Sequence, residues 1–229
     1  MQHLLNNPVF NSLISRDLHL GSGSNKAKYF HEEISPFAGI EEGYAAGFDE
    51  LSNLLPHGRI ILYAIPGEIP IHSGWDLLDK ISGLQLIYNS KVALLPFIGS
   101  TEDPIALQKI HVDQMMELAS LTKPGPFGPR TIDFGNYFGI FNGEKLVAMA
   151  GQRLHVQQYS EISAVCTHPN YLGRGYAGRL VRHQIQLILS QNQVPYLHVR
   201  DDNKRAIELY QRIGFKIRSN MNFYVLKKS

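Results

Sequence analysis

Residues Val165 to Gly178 read Val-Cys-Thr-His-Pro-Asn-Tyr-Leu-Gly-Arg-Gly-Tyr-Ala-Gly, and no other stretch limits the fold as tightly. A β-type run breaks at Pro169 and passes through Gly173 and Gly175 into a pattern whose apolar positions, Ala177, Leu180, Val181, Ile185, Ile188 and Leu189, recur at helical spacing. The order strand, glycine turn, helix follows. At the start of such a helix several N–H groups have no intrahelical partner, the macrodipole is positive, and glycines let the backbone approach an anion without a Cβ in the way. The junction is therefore expected to hold a phosphate. Pro195 to Arg200 returns as a strand and completes a βαβ unit. A second helix is expected over Lys204 to Ile213, started by Asp202 or Asn203 and ended by Gly214, with two strands after it at Phe215–Ile217 and Phe223–Leu226.

Gly173-x-Gly175-x-x-Gly178 matches the dinucleotide fingerprint literally, but five residues including Pro169 separate it from its strand. Only about 50 residues follow, too few for the remaining strands of a Rossmann domain, and Asp201-Asp202 is better read as a helix start. No Gly-Lys-Ser/Thr follows the loop, which argues against a Walker A site. The 229 residues carry a formal net charge of +2 with no long basic run, so nucleic acid is not an expected partner. The one cysteine, Cys166, excludes an internal disulfide framework, and the ten histidines show no metal-ligand spacing, so no metal is expected. Met1 to Leu13 does not read as a signal peptide, and no apolar run approaches the ~20 residues needed to span a bilayer, so no membrane is expected as a partner and a cytoplasmic location is.

The chain changes character near residue 100. Gly99-Ser100-Thr101-Glu102-Asp103-Pro104 reads as a linker dividing an N-terminal lobe, 1–100, from a domain over 101–229. In the lobe, Ile60–Ile65 and Leu84–Tyr88 read as strands, and Phe48–Leu55 and Trp75–Ile81 as helices. Beyond it, Val112–Leu121 has helical spacing and stops at Lys123-Pro124-Gly125-Pro126. Tyr137–Phe141 and Leu146–Ala150 flank Asn142-Gly143 as a hairpin, and Glu161–Thr167 is the next strand.

Residues from about 105 to 228 resemble the GNAT superfamily of acetyl-CoA-dependent N-acetyltransferases, in particular its FR47-like branch. Two motifs about 30 residues apart carry the resemblance: Val165-Cys166-Thr167-His168-Pro169 through Leu172-Gly173-Arg174-Gly175-Tyr176-Ala177, and Asn203-x-x-Ala206-x-x-Leu209-Tyr210-x-x-x-Gly214-Phe215. Leu172 departs from the family pattern, which has Arg or Gln there. The resemblance implies an α/β (α+β) fold, a mixed central sheet with splayed parallel strands flanked by helices, plus an N-terminal α/β lobe that is a candidate degenerate copy of the same fold. It implies acetyl-CoA as co-substrate, held by Val165, Cys166, Thr167, Leu172, Gly173, Arg174, Gly175, Tyr176, Ala177, Gly178 and Asn203. It further implies Glu161 as the base that takes the amine proton and Tyr210 as the acid that protonates the departing thiolate.

Each residue has a plainer reading. Glu161 also fits a strand-end carboxylate, Tyr210 a core tyrosine, Arg174 a solvated arginine, Asn203 a helix cap and Cys166 a buried structural thiol. Phe127, Arg130 and His198 are candidates for contact with the acceptor; the loop bearing Phe127 and Arg130 also reads as a stiff connector, and His198 as a hydrogen-bonded structural histidine. The expected activity is direct transfer of acetyl to a primary amine on a small molecule or peptide. A non-catalytic acyl-CoA-binding module and an O-acyl or longer-chain transferase are the alternatives, and a homodimer is left open.

Overall fold

A computed structural model describes residues 3–89 and 103–229; the expected linker lies outside them up to Glu102. The first part runs α1 (Pro8–Leu13), β1 (Gly21–Gly23), β2 (Ala27–Phe30), β3 (Phe37–Ile40), α2 (Gly47–Leu54), β4 (Ile60–Ile65) and β5 (Trp75–Tyr88). Next come β6 (Ile105–Ala106), α3 (Val112–Thr122), β7 (Phe138–Asn142), β8 (Lys145–Val156) and β9 (Tyr159–Thr167). The chain ends with α4 (Tyr176–Ser190), β10 (Val194–Arg200), α5 (Lys204–Ile213) and β11 (Phe215–Lys228).

Among the described residues the strands form one mixed sheet in the order β1-β2-β3-β4-β11-β5-β10-β9-β8-β7-β6. The pairs β3–β4 and β10–β9 are parallel and the others antiparallel. Successive residues of a strand face opposite sides of a sheet, and the core divides accordingly. Leu197 packs with Val181, Ile185 and Ile188 of α4 and Tyr210 and Ile213 of α5. Its neighbour Tyr196 packs with Val9 and Leu13 of α1 and Met115 and Leu118 of α3. No helix among the described residues is long and apolar enough to cross a membrane.

The expected helix at Trp75–Ile81 is instead the first half of β5, a 14-residue strand. Trp75, Leu78 and Ile81 have i, i+3 spacing, but β5 pairs with β11 from Trp75↔Lys228 to Tyr88↔Phe215 and with β10 from Gly83↔Arg200 to Ile87↔Tyr196. Pairing on both edges satisfies the backbone groups and overrides local spacing. The two strands expected after Gly214 are one strand, β11, with a register shift between Ile217 and Ser219. β5 therefore brings residues from before position 100 between β10 and β11. The N-terminal segment is tied to the same sheet, since Asp17 Oδ2 accepts from the His155 N–H at 2.7 Å and Asp17 Oδ1 meets His155 Nδ1 at 2.7 Å.

Candidate active site

The parallel pair β9–β10 holds at only three positions, Tyr159↔Val194, Ser160↔Pro195 and Glu161↔Tyr196. Past Glu161 the strands part. On its other side β9 carries a bulge: Gly151↔Ser163 is followed by Met149↔Cys166, so Ala164 and Val165 stand opposite Ala150 alone, and Ala164 has φ +52°. A cavity of about 550 Å³ opens between the separated ends, with Ile162 to Thr167 on one wall and His198, Val199 and Arg200 on the other. Asn203, Ala206 and Tyr210 of α5 line it, as do Lys123 to Pro126 after α3 and Phe37, Leu62, Ile81, Ser82 and Phe223. An extended, amide-rich arm fits such a slot, because a strand wall without a neighbour offers backbone groups to it. Thr167 Oγ1 is buried there without a hydrogen-bond partner among the described residues, and an amide-bearing ligand would satisfy it.

The glycine loop leads from Thr167 into α4. A 3-10 turn over Pro169–Tyr171 follows His168, whose Nδ1 accepts from the Asn170 N–H at 3.2 Å. Gly173 and Gly175 have φ +82° and +80°, and Gly175 caps α4. Arg174 stacks its guanidinium 4.8 Å from the centre of the Tyr171 ring, and Leu172 is about half exposed. Tyr176 is buried, and a Cβ on Gly178 would stand 3.6 Å from Leu209 Cδ1, so this end of the motif brings α4 against α5. Gly175→Ala places a Cβ in the left-handed region, so a loss of about 1 kcal/mol in thermal unfolding is expected.

Glu161 sits at the last paired position before the strands part and is 1% exposed. Arg153 of β8 donates to it through Nε at 3.1 Å and Nη2 at 2.8 Å. His198 Nδ1 lies 2.8 Å from Glu161 Oε1, and His198 Nε2 lies 2.9 Å from Gln85 Nε2. Arg218 Nε donates to Gln85 Oε1, which fixes the amide orientation; Gln85 Nε2 then donates to the Leu5 carbonyl at 2.9 Å and to His198 Nε2. His198 is thus the Nδ1–H tautomer, donating to Glu161. Both ring nitrogens are engaged, as expected of a structural histidine, while the ring still lines the cavity.

Burial by itself raises the Glu161 pKa, but the Arg153 charge and the His198 and Arg153 hydrogen bonds outweigh it and hold the carboxyl at about 2. A depressed carboxyl stabilises the fold above its unfolded value of 4.5 and loses that contribution as pH falls toward 2. Denaturant melts taken across that window should show stability falling with pH. Glu161, expected as a base, does not line the cavity and is already paired.

Tyr210 is 7% exposed, lines the cavity and has its pKa raised by burial. Cys166 lines the same cavity, its thiol pushed by burial to about 11 despite a hydrogen bond with Thr122. Asn203 caps α5, accepting from the Ala206 N–H at 3.1 Å, and also lines the cavity. Phe127 and Arg130 do not line it. Phe127 is half-buried and packs against the core with its ring 5.8 Å from that of Tyr137, and Arg130 pairs with Asp133 at 2.9 Å. The wall at that point comes instead from Lys123 to Pro126.

Residues 137–224 match the family described as FR47-like protein. A GNAT-family structure from Novosphingobium aromaticivorans is 33% identical over the whole of both chains, with a TM-score of 0.90. A GCN5-related N-acetyltransferase from Kribbella flavida shares the fold at 11% identity, covering 95% of this chain and 93% of its own, with a TM-score of 0.66. The N-alpha-acetyltransferase RimI of Mycobacterium tuberculosis is 35% identical over 85 residues, 35% of this chain and 52% of RimI, so the match spans about half of that curated relative. With the splayed strands, the bulge and both motifs in place, the chain belongs to the GNAT family of acetyltransferases and carries an FR47-like domain.

Proposed function

We propose that the protein transfers an acetyl group directly from acetyl-CoA to a primary amine within a ternary complex. The observation that carries this reading is the cavity where β9 and β10 part, which is lined by both the bulge at Ala164–Val165 and Tyr210. Acetyl-CoA, when bound, supplies the acyl thioester, whose C–S bond breaks as the C–N bond forms. In this reading the amides of Gly173 to Ala177 hold the pyrophosphate and the backbone of Val165 and Thr167 pairs with the pantetheine amides. A backbone N–H at the bulge, that of Val165, donates to the carbonyl oxygen as it gains charge.

Tyr210 gives its phenolic proton to the departing sulfur and regains one from water. Burial raises the phenol, but it also raises a thiol on the same cavity, as at Cys166, so a thiolate formed here is more basic than in water. The amine loses its proton to water rather than to Glu161. Phe37, Leu62 and Phe223 desolvate it and favour its neutral form. Glu161 acts as a positioning residue, holding Arg153 and His198 at the vertex of the splay. Residues before position 100 wall the acceptor end through Phe37, Leu62, Ile81 and Ser82.

Amine-dependent release of free thiol from acetyl-CoA tests the reading. Release with a primary amine is expected; coenzyme A binding without release across a broad amine panel would reduce the protein to a binding module.

A further inference from the structure

We infer that the acceptor amine also carries a carboxylate on a small apolar body, an amino acid being the simplest case, and that Arg153 binds that carboxylate. The inference rests on the acetyl-transfer reading above. Arg153 lines the cavity with its side chain 11% exposed. Its Nε and Nη2 donate to Glu161 at 3.1 and 2.8 Å, and Nη1 has no hydrogen-bond partner among the described residues. That leaves a charge-assisted donor of fixed geometry for the cavity. The guanidinium lies 4.8 Å from the centre of the Phe37 ring, and Leu62 and Phe223 line the same end, so cationic and apolar surfaces adjoin.

The charge of the walls points the same way. Among the described residues the charged side chains lining the cavity are Lys123, Arg153 and Arg200, with no Asp or Glu. Arg200 is already paired with Asp202 at 2.9 Å. A diamine would bring its second ammonium against the Arg153 and Lys123 cations, whereas a carboxylate meets the Nη1 donor of Arg153. The coenzyme takes the bulge, Thr167 and Tyr210 in the reading above, which leaves the Arg153 end for the acceptor.

The test compares initial rates of thiol release for L-leucine and L-phenylalanine with those for their amides and for putrescine. The expected kcat/KM for each free acid exceeds that for its amide by about tenfold or more, with putrescine lowest. The amide has the less basic amine and so the larger neutral fraction, which means that an advantage of the acid does not come from the amine. Amides as good as the acids, or a preference for putrescine, would overturn the inference and leave acetyl transfer standing. Absence of release with every amine would overturn both. Arg153→Lys keeps a charge beside Glu161 and removes Nη1; it should narrow the acid-to-amide ratio mainly through a higher KM for the acid, and an unchanged ratio in the folded variant would also overturn the inference. If the variant melts below the assay temperature, the wild-type comparison decides alone.

Discussion

Tyr210→Phe should lower kcat by about 100-fold or more while coenzyme A affinity, measured by titration calorimetry, changes little. The substitution removes one oxygen and keeps the ring, which packs against Phe215 at 6.0 Å between centroids. Packing of α5 against the sheet is therefore kept, and the apolar contacts of Ala206 and Ile213 are untouched. What is lost is the one phenol lining the cavity on α5. A thiolate that leaves without a proton is a poorer leaving group than a thiol, so the deficit belongs to turnover. Unchanged kcat would remove Tyr210 from the mechanism and return it to the core tyrosine its helix face also suggests.

Glu161→Gln should cost stability before it costs chemistry. The change leaves the Arg153 guanidinium buried without its counter-charge, and breaking a buried pair from one side typically costs about 3–5 kcal/mol. In a chain of this size that corresponds to a melting temperature lower by roughly 10 °C. His198 loses its charged partner as well, so the vertex between β9 and β10 loosens. In the variant that remains folded, the pH–rate profile should keep its shape, since in the proposed mechanism water takes the amine proton. A variant as stable as the parent but lacking its alkaline rise in rate would make Glu161 the base after all.

The parts of this site that are local in sequence were legible in it. The helix from Lys204 to Ile213 follows from Asp202 or Asn203 as its cap and Gly214 as its stop, and Asn203 and Gly214 occupy the two cap positions. The glycine loop and the strand before it also follow from short-range turn and periodicity signals. The β7–β8 hairpin forms where it is expected, but it turns on Gly143-Glu144: Asn142 pairs with Lys145 and only Gly143, at φ +61°, takes a positive φ, so the Asn-Gly turn itself is not the one used. What escaped is non-local. β5 becomes a strand because β10 and β11 pair with it from either side, and nothing within Trp75–Ile81 announces those neighbours. The bulge rests on Ala164 at φ +52°, a conformation for which alanine gives no cue. Phe127, a candidate for the acceptor from its place in the loop, is half-buried against the core beside Tyr137 and does not line the cavity.

Arg153 carries a signal of its own in the sequence. It is a charged residue just past the end of the run Leu146 to Gly151, beside Gln152 and on the strand before Glu161-Ile162. Two opposite charges in neighbouring buried strands are each tolerated only if paired. Arg153 and Glu161 stand opposite each other as such a cross-strand pair, which occupies the carboxylate.

Initial rates of thiol release, measured over a grid of acetyl-CoA and amine concentrations, test the central claim most directly. Direct transfer in a ternary complex predicts double-reciprocal lines that intersect, with no release that saturates in acetyl-CoA alone. Parallel lines, together with an acetyl group found on the protein by mass spectrometry before any amine is added, would contradict it and would make a side chain such as Cys166 the first acceptor.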